Sequence, residues 1–512
     1  MANLTPHISS FFLLTISIII VANPWPHTTA DSYITRLHND TFSLIEASKD
    51  YGNIVHDFPF FVLQPSSVED IINLTRSSPA KTIAAKGHGH SLRGQAMALN
   101  GVVVNMTTLC NTGEIVIGGD KSSGHNYVDV GGGQLWIDVL NATLKYGMAP
   151  RSWTDYLHLT VGGTLSNAGI SGQSFLYGPQ INNVLQLEVV TGTGQLMNCS
   201  ANENPTLFEG VLGGLGQFGI ITKARIVVDT APKRVKWARL IYNDFNSFTK
   251  DQEYLISTNA PITSYVEGFL IINASTTAFQ WSPQFTISDP QQSLITQLLN
   301  NQSILYSIEL AIYYNDDNQT VASNQFESLH NSLSFTKGLN FSIDAPFFDF
   351  IYRVGDLDVP EKGSLLSHPW LNLFIPKSNI FDFNKLVLAG MLPRLNQTSG
   401  LFIFYPMNKN KWDDKMSAVT PDLTGADASV FYTLGLLHSS QPSVYEFFDK
   451  FNNEVLDVCE KAGIKLKQYL PNYKTNEEWR THFGIKWNDF NKKKSMFDPN
   501  NILSPGQAIF IN

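Results

Sequence analysis

Between residue 59 and about residue 230 the chain alternates short apolar runs with glycine turns, and this pattern most constrains how it can fold. Residues 60–63, 82–85, 102–105, 115–117, 127–130, 185–191 and 220–228 read as strands. Ser66 reads as the cap of a helix carrying Val68, Ile71, Ile72 and Leu74 on one side. Glycine concentrated between strands lets backbone amides approach a phosphate or a planar ring without interposed side chains. After Pro232 the segments lengthen and become rich in Asn and Phe, with strand patterns at 265–272, 304–314, 400–405 and 431–437. Helical spacing follows at 378–392 and at 443–462, the second ending at Gly463. Trp479, Phe483, Trp487 and Phe490 fall on one helical face, which reads as core packing. The expected class is α+β in two domains, the second an antiparallel sheet with flanking helices.

Composition narrows the function. With 43% hydrophobic and 15% charged residues in 512, the chain can bury a large core. A net charge of −9 leaves no cationic surplus for a polyphosphate backbone, so nucleic acid is not an expected partner. Cys110, Cys199 and Cys459 are too far apart in sequence for a local metal or redox pair. Residues 1–30 read as a secretory signal: the apolar run 11–22 is too short for a membrane span and is followed by Pro24, Pro26 and small residues to Ala30. N-x-[ST] sequons begin at Asn39, Asn73, Asn105, Asn141, Asn198, Asn273, Asn301, Asn318, Asn340 and Asn396, so N-glycans and exposed positions are expected there. The expected location is the secretory route, ending outside the cell or in the vacuole or endoplasmic reticulum.

Gly214, Gly216 and Gly219 match G-x-G-x-x-G, but a helical pattern at 207–212 precedes them and the strand 220–228 follows, the reverse of a nicotinamide-dinucleotide site. Gly87-His88-Gly89-His90-Ser91, followed by Gly94 and Gln95, is open to three readings: a turn, a cofactor contact, or a metal site. Gly162, Gly163, Gly169, Gly172 and Gly178, with Ser166, Asn167, Ala168 and Ser171 between, have the makings of a diphosphate cradle. Asp155, between Trp153 and Tyr156, is either a turn residue or, if it faces a closed aromatic pocket, a general base.

These motifs together resemble the plant cytokinin oxidase/dehydrogenases, within the vanillyl-alcohol oxidase type of flavoproteins. The resemblance is carried by Ala84-Ala85-Lys86-Gly87-His88-Gly89-His90-Ser91, Trp153-Thr154-Asp155-Tyr156-Leu157, the run 162–178, the run 213–221, His368-Pro369-Trp370-Leu371-Asn372, and Phe497-Asp498-Pro499 with Leu503-Ser504-Pro505-Gly506-Gln507. It implies FAD, covalently joined through His90, with Ala85, Gly87, His88, Gly89, Ser91, Gln95, Thr160, Ser166, Ile170, Ile220, Tyr469, Ser504 and Gln507 lining the cofactor. It implies a discontinuous FAD domain, 31–231 with 470–512, around a substrate domain at 232–469. Asp155 matches the base that takes a proton from the amine of an N6-isoprenoid adenine such as isopentenyladenine or zeatin; the imine then hydrolyses, and a quinone or O2 accepts the electrons. Glu267 matches a position at the substrate entrance, with Asn372 a second candidate there; no metal is implied. Lys86 and Asn472 stand where arginine and histidine are expected.

Two rivals make different demands. A berberine-bridge type oxidase often adds a cysteine link to the flavin, and no Cys lies between Arg151 and Gly178. A secreted glycoside hydrolase or lectin would rely on paired carboxylates or aromatic platforms and would be colourless.

Overall fold

The computed structural model describes residues 34–510 apart from 78–81, 113–114, 121–123, 258–262, 273–284, 356–365, 396–399 and 424–428. The segment read as a secretory signal and the sequons at Asn273 and Asn396 lie outside the described residues. No helix among the described residues is long and apolar enough to cross a membrane.

Three sheets carry the fold. In the first, Phe61–Leu63, Val102–Asn105 and Ile83–Lys86 run parallel, with Leu37–His38 antiparallel at one edge. Parallel neighbours need a crossover, supplied by the helix Val68–Ser77, which packs Ile71, Ile72 and Leu74 under the sheet. Its start differs from expectation: the Asp70 carboxylate accepts the backbone N–H groups of Ser66 and Ser67 at 2.9 and 3.1 Å, so the acid caps the serines rather than Ser66 capping the helix. The C-terminal segment completes the other edge. Ile83 donates to the Ile502 carbonyl at 2.7 Å and accepts from Ser504 N–H at 2.9 Å.

The second sheet is antiparallel, ordered Val116–Asp120, His125–Gly131, Gly219–Thr230, Val184–Thr191 and Leu196–Ser200, with Met148–Pro150 also paired to Gly219–Thr230. The helix Pro205–Val211 comes before that central strand, in the order that argued against a nicotinamide site.

The third sheet has eight antiparallel strands in the order Asn340–Pro346, Arg234–Tyr242, Ile304–Tyr314, Tyr265–Ile272, Gly400–Asn408, Val430–His438, Leu371–Pro376 and Lys467–Tyr469. Alternation within each strand decides what each face meets. Val266, Leu270 and Ile272, with Tyr306, Ile308 and Leu310, pack on one side against Phe248 of the helix Phe245–Leu255, Phe326 of Gln319–Ser332 and Phe451 of Tyr445–Lys461. Odd-numbered neighbours, Tyr265, Glu267 and Glu309 among them, face the other half of the molecule. The helix expected over 378–392 is broken into 3-10, α and π pieces before a final 3-10 turn, although Ile380, Phe383, Val387 and Leu388 are all buried. The aromatic face is real but bent: Gly484 at φ 52° separates Asn476–Phe483 from Trp487–Phe497, and Phe483 meets Phe490 at 4.0 Å.

Candidate active site

A large cleft of about 390 Å³ lies where the three sheets meet. Every residue implied for the cofactor lines it: Ala85, Gly87, His88, Gly89, His90, Ser91, Gln95, Thr160, Ser166, Ile170, Ile220, Tyr469, Ser504 and Gln507, with Asp155, Glu267 and Asn372 in the same wall. Tyr469 comes from the short last strand of the eight-stranded sheet, and Asn372 from its neighbour, where it pairs with Gly435 and Tyr469.

The glycines are there for room. A Cβ on Gly87 would stand 2.1 Å from Thr160 Oγ1, and one on Gly506 would stand 2.0 Å from the Gly94 carbonyl oxygen. The strands and loops therefore close around a cavity walled by backbone, while Gln507 leaves a buried Oε1 without a protein partner. This cradle fits an extended dinucleotide carrying a planar ring system.

Asp155 sits in the loop between Met148–Pro150 and the helix Val161–Leu165. Trp153 anchors that loop by packing edge-on against Trp136 at 5.8 Å, and the carbonyls of Leu157 and Leu159 accept from Ile137 and Trp136 at the start of the helix Trp136–Leu144. The carboxylate makes no turn of its own. Ser171 Oγ at 2.8 Å, Arg353 Nη2 at 2.8 Å and Tyr265 OH at 3.3 Å all donate to Oδ1. Among the described residues nothing donates to Oδ2, and the side chain keeps 27% of its surface open. One oxygen is fixed and the other is free.

Beneath Asp155 lies a row of charges set by sheet register. Arg239 is opposite Glu309, and Glu309 is opposite Glu267, on three adjacent strands. Like charges opposed across strands repel. Arg239 Nη2 contacts Glu309 at 2.5 Å, while Arg353 reaches Glu309 at 3.2 Å and Glu267 at 3.8 Å. Glu267 is 1% exposed, so it is buried under the base and not at an entrance as expected. Burial first, then the neighbouring Asp155 charge, holds its carboxyl well above the usual range, with Arg353 opposing. Arg353, Glu309, Arg239 and Tyr265 were missed in the sequence as site residues, and Ser171, read there as part of the diphosphate cradle, instead donates to Asp155. A charge in an otherwise apolar strand, as in Ile304–Tyr314, was the available signal.

His90 lines the cleft, and Tyr156, next to Asp155, packs its ring 4.8 Å away. Withdrawal from water, then the neighbouring His88 and His368, brings the His90 imidazole down to about 3. It is neutral at physiological pH. His88 is exposed, and burial of part of its ring lowers its pKa too. Lys86 points away from the cleft and donates to the carbonyls of Glu46 and Lys49 at the end of the helix Thr41–Ala47, at 2.6 and 2.5 Å.

This arrangement of sheets around a backbone-walled dinucleotide cradle is that of a vanillyl-alcohol oxidase type flavoenzyme, an FAD-dependent oxidoreductase. The solved structure of 6-hydroxy-D-nicotine oxidase from Arthrobacter nicotinovorans matches with TM-score 0.64 at 16% identity, over 91% of this chain and 94% of that one. The profile described as "FAD binding domain" matches residues 59–200, and that described as "Cytokinin dehydrogenase 1, FAD and cytokinin binding" matches 232–510. Cytokinin dehydrogenase 4 of Arabidopsis thaliana is 46% identical, covering 92% of this chain and 91% of its own. Cytokinin dehydrogenase 4 of Oryza sativa subsp. japonica is 44% identical, covering 91% and 88%. The chain belongs to the cytokinin dehydrogenase family.

Proposed function

We propose that this enzyme oxidises the N6 side chain of isoprenoid adenines such as isopentenyladenine and zeatin, with FAD covalently held through His90 and Asp155 as the base. The observation that carries the reading is the asymmetry of Asp155: three donors fix Oδ1 and leave Oδ2 facing the cleft. An amine N–H within reach of Oδ2 would lose its proton there. FAD, when bound, supplies the two-electron sink that no side chain provides. The chain's part is to hold the substrate so that the carbon bonded to the amine would face the cofactor and the amine N–H faces Asp155, to keep that carboxylate oriented, and to exclude water from the carbon that gives up hydride. The imine hydrolyses to adenine and an unsaturated aldehyde, and a quinone or O2 takes the electrons.

Glycine-walled loops would hold the dinucleotide, with Ser504 and Gln507 from the C-terminal return closing it. The domains in this reading are 31–231 with 470–512 for FAD and 232–469 for the substrate. Asn372, on the cleft wall, is a candidate contact to the adenine end. Secretion and N-glycosylation belong to the same proposal, supported by the exposure of Asn39, Asn141, Asn198, Asn301 and Asn318; Asn73, Asn105 and Asn340 are half-buried. A spectrum of the purified protein tests it: a flavin band that bleaches when isopentenyladenine is added is the expected result. A yellow protein that isopentenyladenine leaves unbleached would remove the substrate, and a colourless one the cofactor.

A further inference from the structure

A segment unassigned by any motif, residues 50–53, is wrapped around the loop that carries His90. Tyr51 donates its N–H to the Gly89 carbonyl at 2.8 Å, and Gly52 donates to the Ser91 carbonyl at 3.0 Å, so the two residues flanking His90 are pinned from outside. A Cβ on Gly52 would lie 1.7 Å from the Leu92 carbonyl oxygen, so only glycine allows this approach. Asp50 accepts from Gly94 N–H at 2.7 Å and from Ser91 Oγ at 3.0 Å. The Tyr51 ring lies against the His90 ring, centroids 4.0 Å apart and planes 15° from parallel. On its other face Tyr51 carries His368, again at 4.0 Å and 11°. His368 is fixed in turn by its N–H to the Gly52 carbonyl at 2.9 Å and by Ser439 Oγ at 2.9 Å from Nδ1. His90 lines the cleft, whereas Tyr51 and His368 stand behind it.

A histidine on a loop whose Gly89 and Gly94 both sit at φ 77° has little in its own backbone to fix the ring. The stack supplies what the loop lacks. We propose that Tyr51 is a positioning residue for flavin attachment: backed by His368, it holds the His90 imidazole in the plane from which it bonds the flavin. This rests on covalent attachment at His90. Attachment joins an imidazole nitrogen to a methyl carbon of the flavin ring system. One N–H and one C–H bond break, two protons leave, and two electrons enter the ring system, to be removed by the electron acceptor of normal turnover. Burial that keeps the imidazole neutral agrees with its acting as the nucleophile.

The test compares purified holoenzymes of wild type, Tyr51→Phe, Tyr51→Leu and Tyr51→Ala. Each is precipitated with acid, and flavin is measured in pellet and supernatant alongside in-gel flavin fluorescence. Tyr51→Phe keeps the ring and should match wild type. Tyr51→Leu fills the volume without a stack, and its covalent fraction should fall about fivefold or more while total flavin per chain stays near one through the noncovalent cradle. Tyr51→Ala should fall as far, and Tyr51→Leu decides the matter if the alanine variant does not fold. A wild-type covalent fraction in Tyr51→Leu would overturn the role of Tyr51 and leave the His90 link standing. An equal fall in Tyr51→Phe would overturn it too, because the hydroxyl rather than the ring would be responsible. A colourless wild-type pellet would overturn the His90 link itself, and the inference with it.

Discussion

Asp155 is where the chemistry can be separated from the packing. Asp155→Asn preserves shape but cannot accept the amine proton, so turnover should drop by roughly two to four orders of magnitude with flavin content unchanged. A turn residue would behave oppositely, losing stability and keeping catalysis; steady-state rates beside thermal melts distinguish the two. Glu267 makes a sharper comparison. Burial and the Asp155 charge push its carboxyl well above the usual range, toward the neutral form that glutamine imitates, so Glu267→Gln should cost turnover less than about tenfold, far less than the asparagine variant. A loss as large as that of Asp155→Asn would mean that Glu267 carries the proton instead. At this scale the sequence was partly legible. The glycine loops and Asp155 stand in recognisable runs, but Arg353 is about two hundred residues away and only folding brings it to Oδ1. Tyr51 carried no signal, because stacking on His90 depends on backbone pairing between distant loops.

At the scale of elements, the C-terminal return depends on one buried ion pair. Lys494 Nζ meets Asp498 Oδ2 at 2.7 Å and also donates to the Gln217 carbonyl at 3.1 Å, while Asp498 accepts from Ile502 and Leu503 N–H at 3.1 and 2.9 Å. Both side chains are almost wholly buried. Lys494→Met leaves an uncompensated carboxylate and should lower unfolding free energy by about 3–5 kcal/mol, read from the urea midpoint. Because this pair fixes the turn leading to Ser504 and Gln507, the same variant should release noncovalent flavin sooner once His90→Ala removes the link. Most strands were readable from apolar runs. Among those that were not, Arg234–Tyr242 is interrupted by Arg234, Lys236 and Arg239, and Asn340–Pro346 is polar and ends in proline. The break in the 378–392 helix had no apolar signature, since its buried residues keep helical spacing through the π turn.

Across the whole molecule, buried imidazoles set the acid limit. His438 and His482 are held down to about 3 and His368 to about 4, in each case chiefly by burial. These groups bind protons in the unfolded chain below about 6.5 but not in the folded one, so stability rises with pH between about 4 and 6.5. Each can contribute up to about 1.4 kcal/mol per pH unit there. Glu267 and Asp50, whose carboxyls are raised by burial, act in the opposite sense and only in part cancel this. The urea midpoint should therefore fall steadily from pH 6.5 to 4.5, and a flat profile would mean that these rings are protonated in the fold.

The central claim is that Asp155 and the flavin cradle act together on an allylic amine, and anaerobic flavin reduction with adenine release measures it directly. Isopentenyladenine should reduce the enzyme-bound flavin rapidly and release one adenine per flavin. Dihydrozeatin, which lacks the activating double bond, should do so much more slowly at equal occupancy. Equal rates for the two, or reduction without adenine, would contradict the chemistry assigned to the cleft.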